Sequence, residues 1–193
     1  MTKKELRKLF LERRKQLSES DYTRLNLALY AHFFAGVDLS FIRVLHTFLP
    51  IAENHEPDTW AILDRVRREF PQVRVSLPRV SGDHLENINY EGPHQLHTSE
   101  WGIREPKQGV PTPPEKIDLV LVPLLLFDKN GHRVGYGRGY YDRLLSQVRP
   151  DCLKVGLSLF PPVDAIDDVT VTDVPLDQCV TPEGVVRFGG QRP

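Results

Sequence analysis

The sequence is poor in cysteine, has no charge excess of either sign and carries no long apolar run. Cys152 and Cys179 are its two cysteines. Two thiols do not build a disulfide framework, so a reduced, cytoplasmic chain held together by its own core is expected. Lys plus Arg total 25 against 26 Asp plus Glu, a formal net charge of −1. That balance gives no general basic field for coating nucleic acid or holding a membrane surface. Aromatic and basic residues do not interleave into a ribbon for single strands. The stretch Leu119 to Phe127 is the longest apolar run and is too short to span a bilayer. The charged N-terminal stretch lacks an apolar segment with a cleavage site, so no secretory leader is expected. Repeats and low-complexity segments are absent. These absences leave small molecules as the expected partners, with no nucleic acid and no membrane. A monomeric chain is expected as well.

What is present is an ordinary globular mixture over 193 residues, 40% hydrophobic and 26% charged. It predicts one domain over residues 1–193. Apolar periodicity predicts helices over Lys3 to Leu17 and Tyr22 to Phe34, and a third from an Asp58–Thr59 cap to about Phe70. Strands are expected at Ile42 to Leu49, Val73 to Leu77, His84 to Tyr90, Ile117 to Phe127 and Cys152 to Phe160. Residues 92–115, rich in proline, read as an ordered surface loop, and the tail as short and turn-rich. A helix is expected over Tyr140 to Gln147. Helices alternating with apolar strands favour an α/β domain with a mainly parallel sheet.

The most informative stretch is Ile117 to Leu145. A buried strand is followed by a turn at Asp128 to Gly131, then by Gly135, Gly137 and Gly139 at alternate positions, then by a helix. Glycines let backbone approach a bulky anion and adopt positive φ. The helix start directs free N–H groups and the positive dipole end at the same place. Arg133 and Arg138 add forked donors suited to phosphate oxygens. A tight turn without ligand is the plain alternative. The dinucleotide fingerprint has the wrong spacing here, and the loop G-x-x-x-x-G-K-[ST] is absent because no glycine precedes a lysine. Residues 1–16 hold seven basic and two acidic residues. At about 100° per residue, Lys3, Arg7 and Arg14 share one helix face, beside the apolar Leu6, Phe10 and Leu17. Such a run is usually a solvated face; the sharper alternative is that Lys3 and Arg7 close over a polyphosphate. His94 and His97 have an H-x-x-H spacing with no companion ligands, a weak metal signal.

The run Arg133-Val-Gly-Tyr-Gly-Arg-Gly-Tyr-Tyr-Asp-Arg143 resembles the signature of the 5-formyltetrahydrofolate cyclo-ligase family, also called 5,10-methenyltetrahydrofolate synthetase. Companion segments follow in family order: Lys3-Lys-Glu-Leu-Arg7, Glu56-Pro-Asp-Thr59, Trp101-Gly-Ile-Arg-Glu-Pro106, Val122-Pro123 and Pro175-Leu-Asp177. The resemblance implies a three-layer α/β/α sandwich similar to ribose-5-phosphate isomerase and CoA-transferase domains. It implies an enzyme of one-carbon metabolism that closes 5-formyltetrahydrofolate to 5,10-methenyltetrahydrofolate, with ATP as co-substrate and Mg²⁺ as cofactor. The ATP-binding positions it implies are Lys3, Arg7, Arg133, Val134, Gly135, Tyr136, Gly137, Arg138, Gly139, Tyr140 and Tyr141. Folate contacts fall on Ile51, Glu56, Trp101, Tyr140 and Tyr141, and Arg133, Arg138 and Tyr140 carry the catalytic expectation. Metal ligation falls on Asp142 and Asp177, with Asp173 as the alternative to the latter. Phe is common in the family where Trp101 stands, and the loop Ala52 to His55 is longer than in many members. A binding module without ligase activity and a sugar-phosphate isomerase are the competing functions on the same fold.

Overall fold

The computed structural model describes residues 1–189. Helix α1 spans Lys3–Lys15 and opens on a capping box, in which Thr2 accepts from the Glu5 N–H and Glu5 accepts from the Thr2 N–H. Helix α2 spans Glu19–Gly36 under a Ser18 cap, and α3 spans Thr59–Glu69 under an Asp58 cap. Each cap satisfies N–H groups that the first turn leaves without partners.

Between and after these helices lie β1 (Val44–His46), β2 (Arg74–Ser81), β3 (His84–Asn89), β4 (Leu96–Thr98), β5 (Arg104–Pro106) and β6 (Leu119–Val122). Then follow β7 (Leu126–Phe127), β8 (Arg133–Val134), helix α4 (Tyr140–Gln147), β9 (Leu153–Leu157), β10 (Gln178–Thr181) and β11 (Gly184–Arg187). Seven strands form the main sheet in the order β11-β10-β9-β6-β1-β2-β3. The five inner strands run parallel, and β11 and β3 join antiparallel at the two edges.

Strand β6 shows why both faces are covered. Its four residues are all buried. Leu119 and Leu121 join the cluster that holds Leu29 and Phe33 of α2 and Ile62, Leu63 and Val66 of α3. Val120 and Val122 point the other way, into the cluster that holds Leu144 and Leu145 of α4. Period-two alternation between two apolar faces is what a central parallel strand requires. The result is the α/β/α sandwich expected. A third cluster docks α1, through Leu6 and Phe10, on Leu125, Leu126 and Val134.

Four sequence expectations are corrected. The strand expected over Ile117 to Phe127 ends at Val122; after Pro123 the chain turns, and β7 pairs with β8 in a separate two-stranded ribbon. The strand expected to end at Leu77 continues to Ser81 through Pro78. Pro78 is tolerated because β1 has already ended opposite Ser76, so no strand on that side needs its N–H. The proline-rich stretch contains the β4–β5 hairpin. The tail supplies β10 and β11, which complete one side of the main sheet. These pieces are short and half-polar, too brief for periodicity to register.

Candidate functional site

One cleft of about 1390 Å³ lies where α1, the β7–β8 ribbon and the start of α4 meet the loops beyond the strand ends. Ligands in open α/β sheets bind at this kind of crevice. Lys3, Arg7, Ile51, Glu56, Trp101 and the unbroken run Arg133 to Asp142 all line it. The sequence-predicted residues thus converge on one cavity, with the exception of Asp177. That carboxylate accepts from the Lys154 N–H at 2.8 Å and lies 3.5 Å from Lys154 Nζ, between β9 and β10. Asp173 lines the cleft instead, paired with Lys3 Nζ.

One half of the cleft is built on backbone. Gly137 has φ +93° and Gly139 has φ +69°, the left-handed region that favours glycine. A Cβ on Gly137 would stand 3.3 Å from the Arg7 guanidinium carbon. Gly139 occupies the N-cap of α4 with no side-chain cap. None of the backbone N–H groups from Gly135 to Gly139 donates to a protein acceptor among the described residues. Unused donors at a helix N-terminus form a ready anion cradle. Around it, Arg7 Nε donates to the Gly135 carbonyl at 2.8 Å. Arg133 is almost fully buried and donates to the Val174 carbonyl at 2.6 Å and to Asp142 Oδ1 at 2.9 Å. Arg138 is exposed, and its guanidinium has no protein partner among the described residues. The helix face that carries Lys3, Arg7 and Arg14 is therefore turned onto the glycine loop and is not a solvated face.

The opposite half is built around a buried acid. Glu56 is 3% exposed. Its Oε2 accepts from the Ile51 N–H at 2.6 Å and its Oε1 from the Tyr136 hydroxyl at 2.8 Å. Burial pushes this carboxyl up; the Ile51 N–H, the Tyr136 hydroxyl and the Arg14 charge pull it back. Burial first, and then the Glu56 charge, hold the Tyr136 and Tyr141 hydroxyls well above the usual phenol range, so both remain donors. Tyr141 reaches inward to within 3.3 Å of His46 Nε2, whereas Tyr140 donates outward to the Gly82 carbonyl at 3.2 Å. Trp101 stands at the tip of the β4–β5 hairpin, 69% exposed over the cleft.

His46 sits at the end of β1, fully buried, with no partner for Nδ1. Burial pushes its imidazole down to about 3. The folded value lies below the unfolded value of about 6.5, so the unfolded chain takes up the proton first and stability falls as pH drops. His46 is expected to contribute a loss of about 1.4 kcal/mol of unfolding free energy per pH unit below about pH 6.5, and His46→Gln to make the urea-derived stability less steep by about that amount between about pH 6 and pH 5. Parallel profiles for the two proteins would refute this.

Sequence reasoning placed Arg14 on the correct helix face but gave it no task, and did not single out the buried His46, or Arg104 and Arg143, which also line the cleft. It also left Tyr136 with the expected nucleotide alone, although its hydroxyl bonds the buried acid. For a metal, no group of three His, Cys, Asp or Glu side chains among the described residues is arranged to hold an ion. Asp142 and Asp173, each already beside a cation, suit a divalent ion held mainly by phosphate and water, with one or two protein carboxylates at most.

Comparison with known proteins identifies the family. The model of the 5-formyltetrahydrofolate cyclo-ligase family matches residues 1–182. A Schizosaccharomyces pombe protein named as a probable 5-formyltetrahydrofolate cyclo-ligase is 30% identical over 58% of this chain, and the match spans 63% of that relative's length. The solved structure of Aquifex aeolicus 5,10-methenyltetrahydrofolate synthetase superposes with a TM-score of 0.78 at 32% identity, over 100% of this chain and 96% of its own. That of a 5,10-methenyltetrahydrofolate synthetase from Mycoplasma pneumoniae gives 0.76 at 27% identity, over 95% and 100%. An anion cradle and a buried acid on one α/β/α sandwich, matched over nearly the full length by fold and by family pattern, make this chain a member of the 5-formyltetrahydrofolate cyclo-ligase family.

Proposed function

We propose that this chain cyclises 5-formyltetrahydrofolate to 5,10-methenyltetrahydrofolate at the expense of ATP, releasing ADP and phosphate. The observation that carries this is the shared cleft: unused backbone donors and three cationic side chains on one wall, a buried acid on the other. A triphosphate at the first and a pterin at the second would meet within one cavity.

The formyl oxygen is a poor leaving group until it is phosphorylated. Its attack on the γ-phosphorus gives an iminium phosphate and ADP. N10 then adds to the activated carbon and loses its proton, the carbon–oxygen bond breaks, and phosphate departs with the former formyl oxygen. Such a transfer needs in-line placement and neutralised charge more than a protein nucleophile. Lys3, Arg7, Arg138 and the N–H groups of Gly135 to Gly139 supply the charge and the cradle. Arg133 orients Asp142, and Tyr140 closes the side of the pocket. Glu56 accepts from donors on the pterin ring, with Ile51 and Tyr141 beside it, and Trp101 covers the ring from the hairpin. Asp142 and Asp173 would hold Mg²⁺, whose contribution when bound is to neutralise the phosphate oxygens. On this account the chain works as a monomer on dissolved small molecules in a reducing cytoplasm, where its two buried thiols stay free.

Purified protein with 5-formyltetrahydrofolate and Mg²⁺ is expected to produce the methenyl absorbance only when ATP is present. ATP binding without product would leave the cradle standing and defeat the ligase function.

A further inference from the structure

Arg14 heads the fully buried side chains by size, at 1% exposure. A buried guanidinium is costly unless it is paired. No carboxylate touches it among the described residues. NH1 donates to the Tyr136 hydroxyl at 3.1 Å, NH2 donates to the Leu124 carbonyl, and Nε has no partner. Its countercharge stands one hydroxyl further on, because Tyr136 donates in turn to Glu56 Oε1 at 2.8 Å. The three groups form a relay of cation, phenol and carboxylate that joins α1, the glycine loop and the acid; its two charged ends are buried, and Tyr136 between them is 36% exposed on the cleft.

We propose that Arg14 is a positioning residue for the folate: through Tyr136 it holds the Glu56 carboxylate in the form and direction that accepts hydrogen bonds from the pterin. This rests on the folate contact proposed for Glu56. The groups that face Glu56 are Arg14 from α1, Tyr22 from α2, Tyr136 from the glycine loop and Tyr141 from α4, whereas the sequence neighbours His55 and Asp58 bond elsewhere, to the Arg14 carbonyl and to Asn26. Tyr22 donates to the Glu56 backbone carbonyl at 2.5 Å and leaves the carboxylate to the others. Arg14 is the one permanent cation in this set. Burial favours the neutral carboxyl, and the Arg14 charge opposes it. Without Arg14, the Tyr136 hydroxyl loses its fixed donor and Glu56 keeps its proton to higher pH. A protonated carboxyl presents a donor where the ring N–H and amino groups need an acceptor.

The test is binding of 5-formyltetrahydrofolate without ATP to the wild type, Arg14→Leu, Arg14→Lys, Tyr136→Phe and Glu56→Gln. Wild-type affinity is expected to stay level between about pH 6 and pH 8, and Arg14→Leu to bind about tenfold more weakly at the acid end, with the gap narrowing as pH rises. Arg14→Lys should recover most of the loss, and the affinity of Arg14→Leu for a non-hydrolysable ATP analogue should stay near wild type. A merely structural arginine would lower both affinities at every pH, and that result overturns the proposal. Glu56→Gln separates the two levels of the argument. If it binds folate as tightly as wild type, the Glu56 contact itself fails. If it binds weakly while Arg14→Leu matches wild type, the role of Arg14 fails alone. Should Arg14→Leu not fold, Tyr136→Phe decides: pH-dependent weakening supports the relay, and a level profile at wild-type affinity overturns it.

Discussion

Arg138→Ala is expected to lower kcat/KM for ATP by about 100-fold or more, equivalent to about 2.7 kcal/mol of transition-state stabilisation. The guanidinium lies in the cleft with no protein partner among the described residues, so its removal breaks no bond in the fold. Unfolding free energy should therefore move by no more than about 0.5 kcal/mol, as for an exposed substitution. A charge placed beside a transferring phosphoryl group acts mostly in the transition state, so kcat should fall more than folate affinity does. Steady-state kinetics with each substrate varied in turn, beside a urea titration, distinguish these effects. An equal, small loss for both substrates would remove Arg138 from the phosphate wall. Arg133 would answer differently, because its guanidinium is buried between Val174 and Asp142 and its loss would disturb the loop itself.

Glu56→Gln is expected to raise the KM for 5-formyltetrahydrofolate about 10- to 100-fold and to leave the KM for ATP within about threefold. The substitution keeps the shape of the side chain and one accepting oxygen. It removes the charge and turns one oxygen into an NH₂ group that faces the Ile51 N–H or the Tyr136 hydroxyl, both of which donate to the carboxylate. A hydrogen bond to a charged acceptor is worth about twice a neutral one, so the deficit should exceed that of a simple neutral contact. Unchanged folate KM with a damaged ATP KM would invert the assignment of the two halves of the cleft.

Much of this site is legible in the residues alone, for a physical reason. Gly137 and Gly139 stand where only glycine adopts the backbone without strain, and the helix behind them begins where the apolar period resumes at Tyr140. A cradle of that kind is local, made from one continuous stretch. The Arg14–Tyr136–Glu56 relay is not local: its partners lie 122 and 80 residues apart in the chain. One hint existed, since an arginine seven residues beyond Arg7 occupies the same helix face, but nothing in one sequence says whether that face meets water or protein. Asp177 was ranked ahead of Asp173 as a metal position because one sequence cannot say which of them reaches the cleft. The turn-rich segment before β10 sends Asp173 back to Lys3 and leaves Asp177 beside Lys154, a choice fixed by the tertiary path. The layered core was readable because β6 is apolar at every position, whereas the β4–β5 hairpin that lifts Trp101 over the cleft alternates too briefly to announce itself.

The central claim is that the two halves of the cleft meet at the formyl oxygen. The most direct test is to label that oxygen with the heavy isotope, run a single turnover with ATP and Mg²⁺, and recover the phosphate and the water for mass analysis. Phosphorylation of the formyl oxygen followed by ring closure predicts that the label leaves in inorganic phosphate. Label recovered in water, with unlabelled phosphate, would contradict the account.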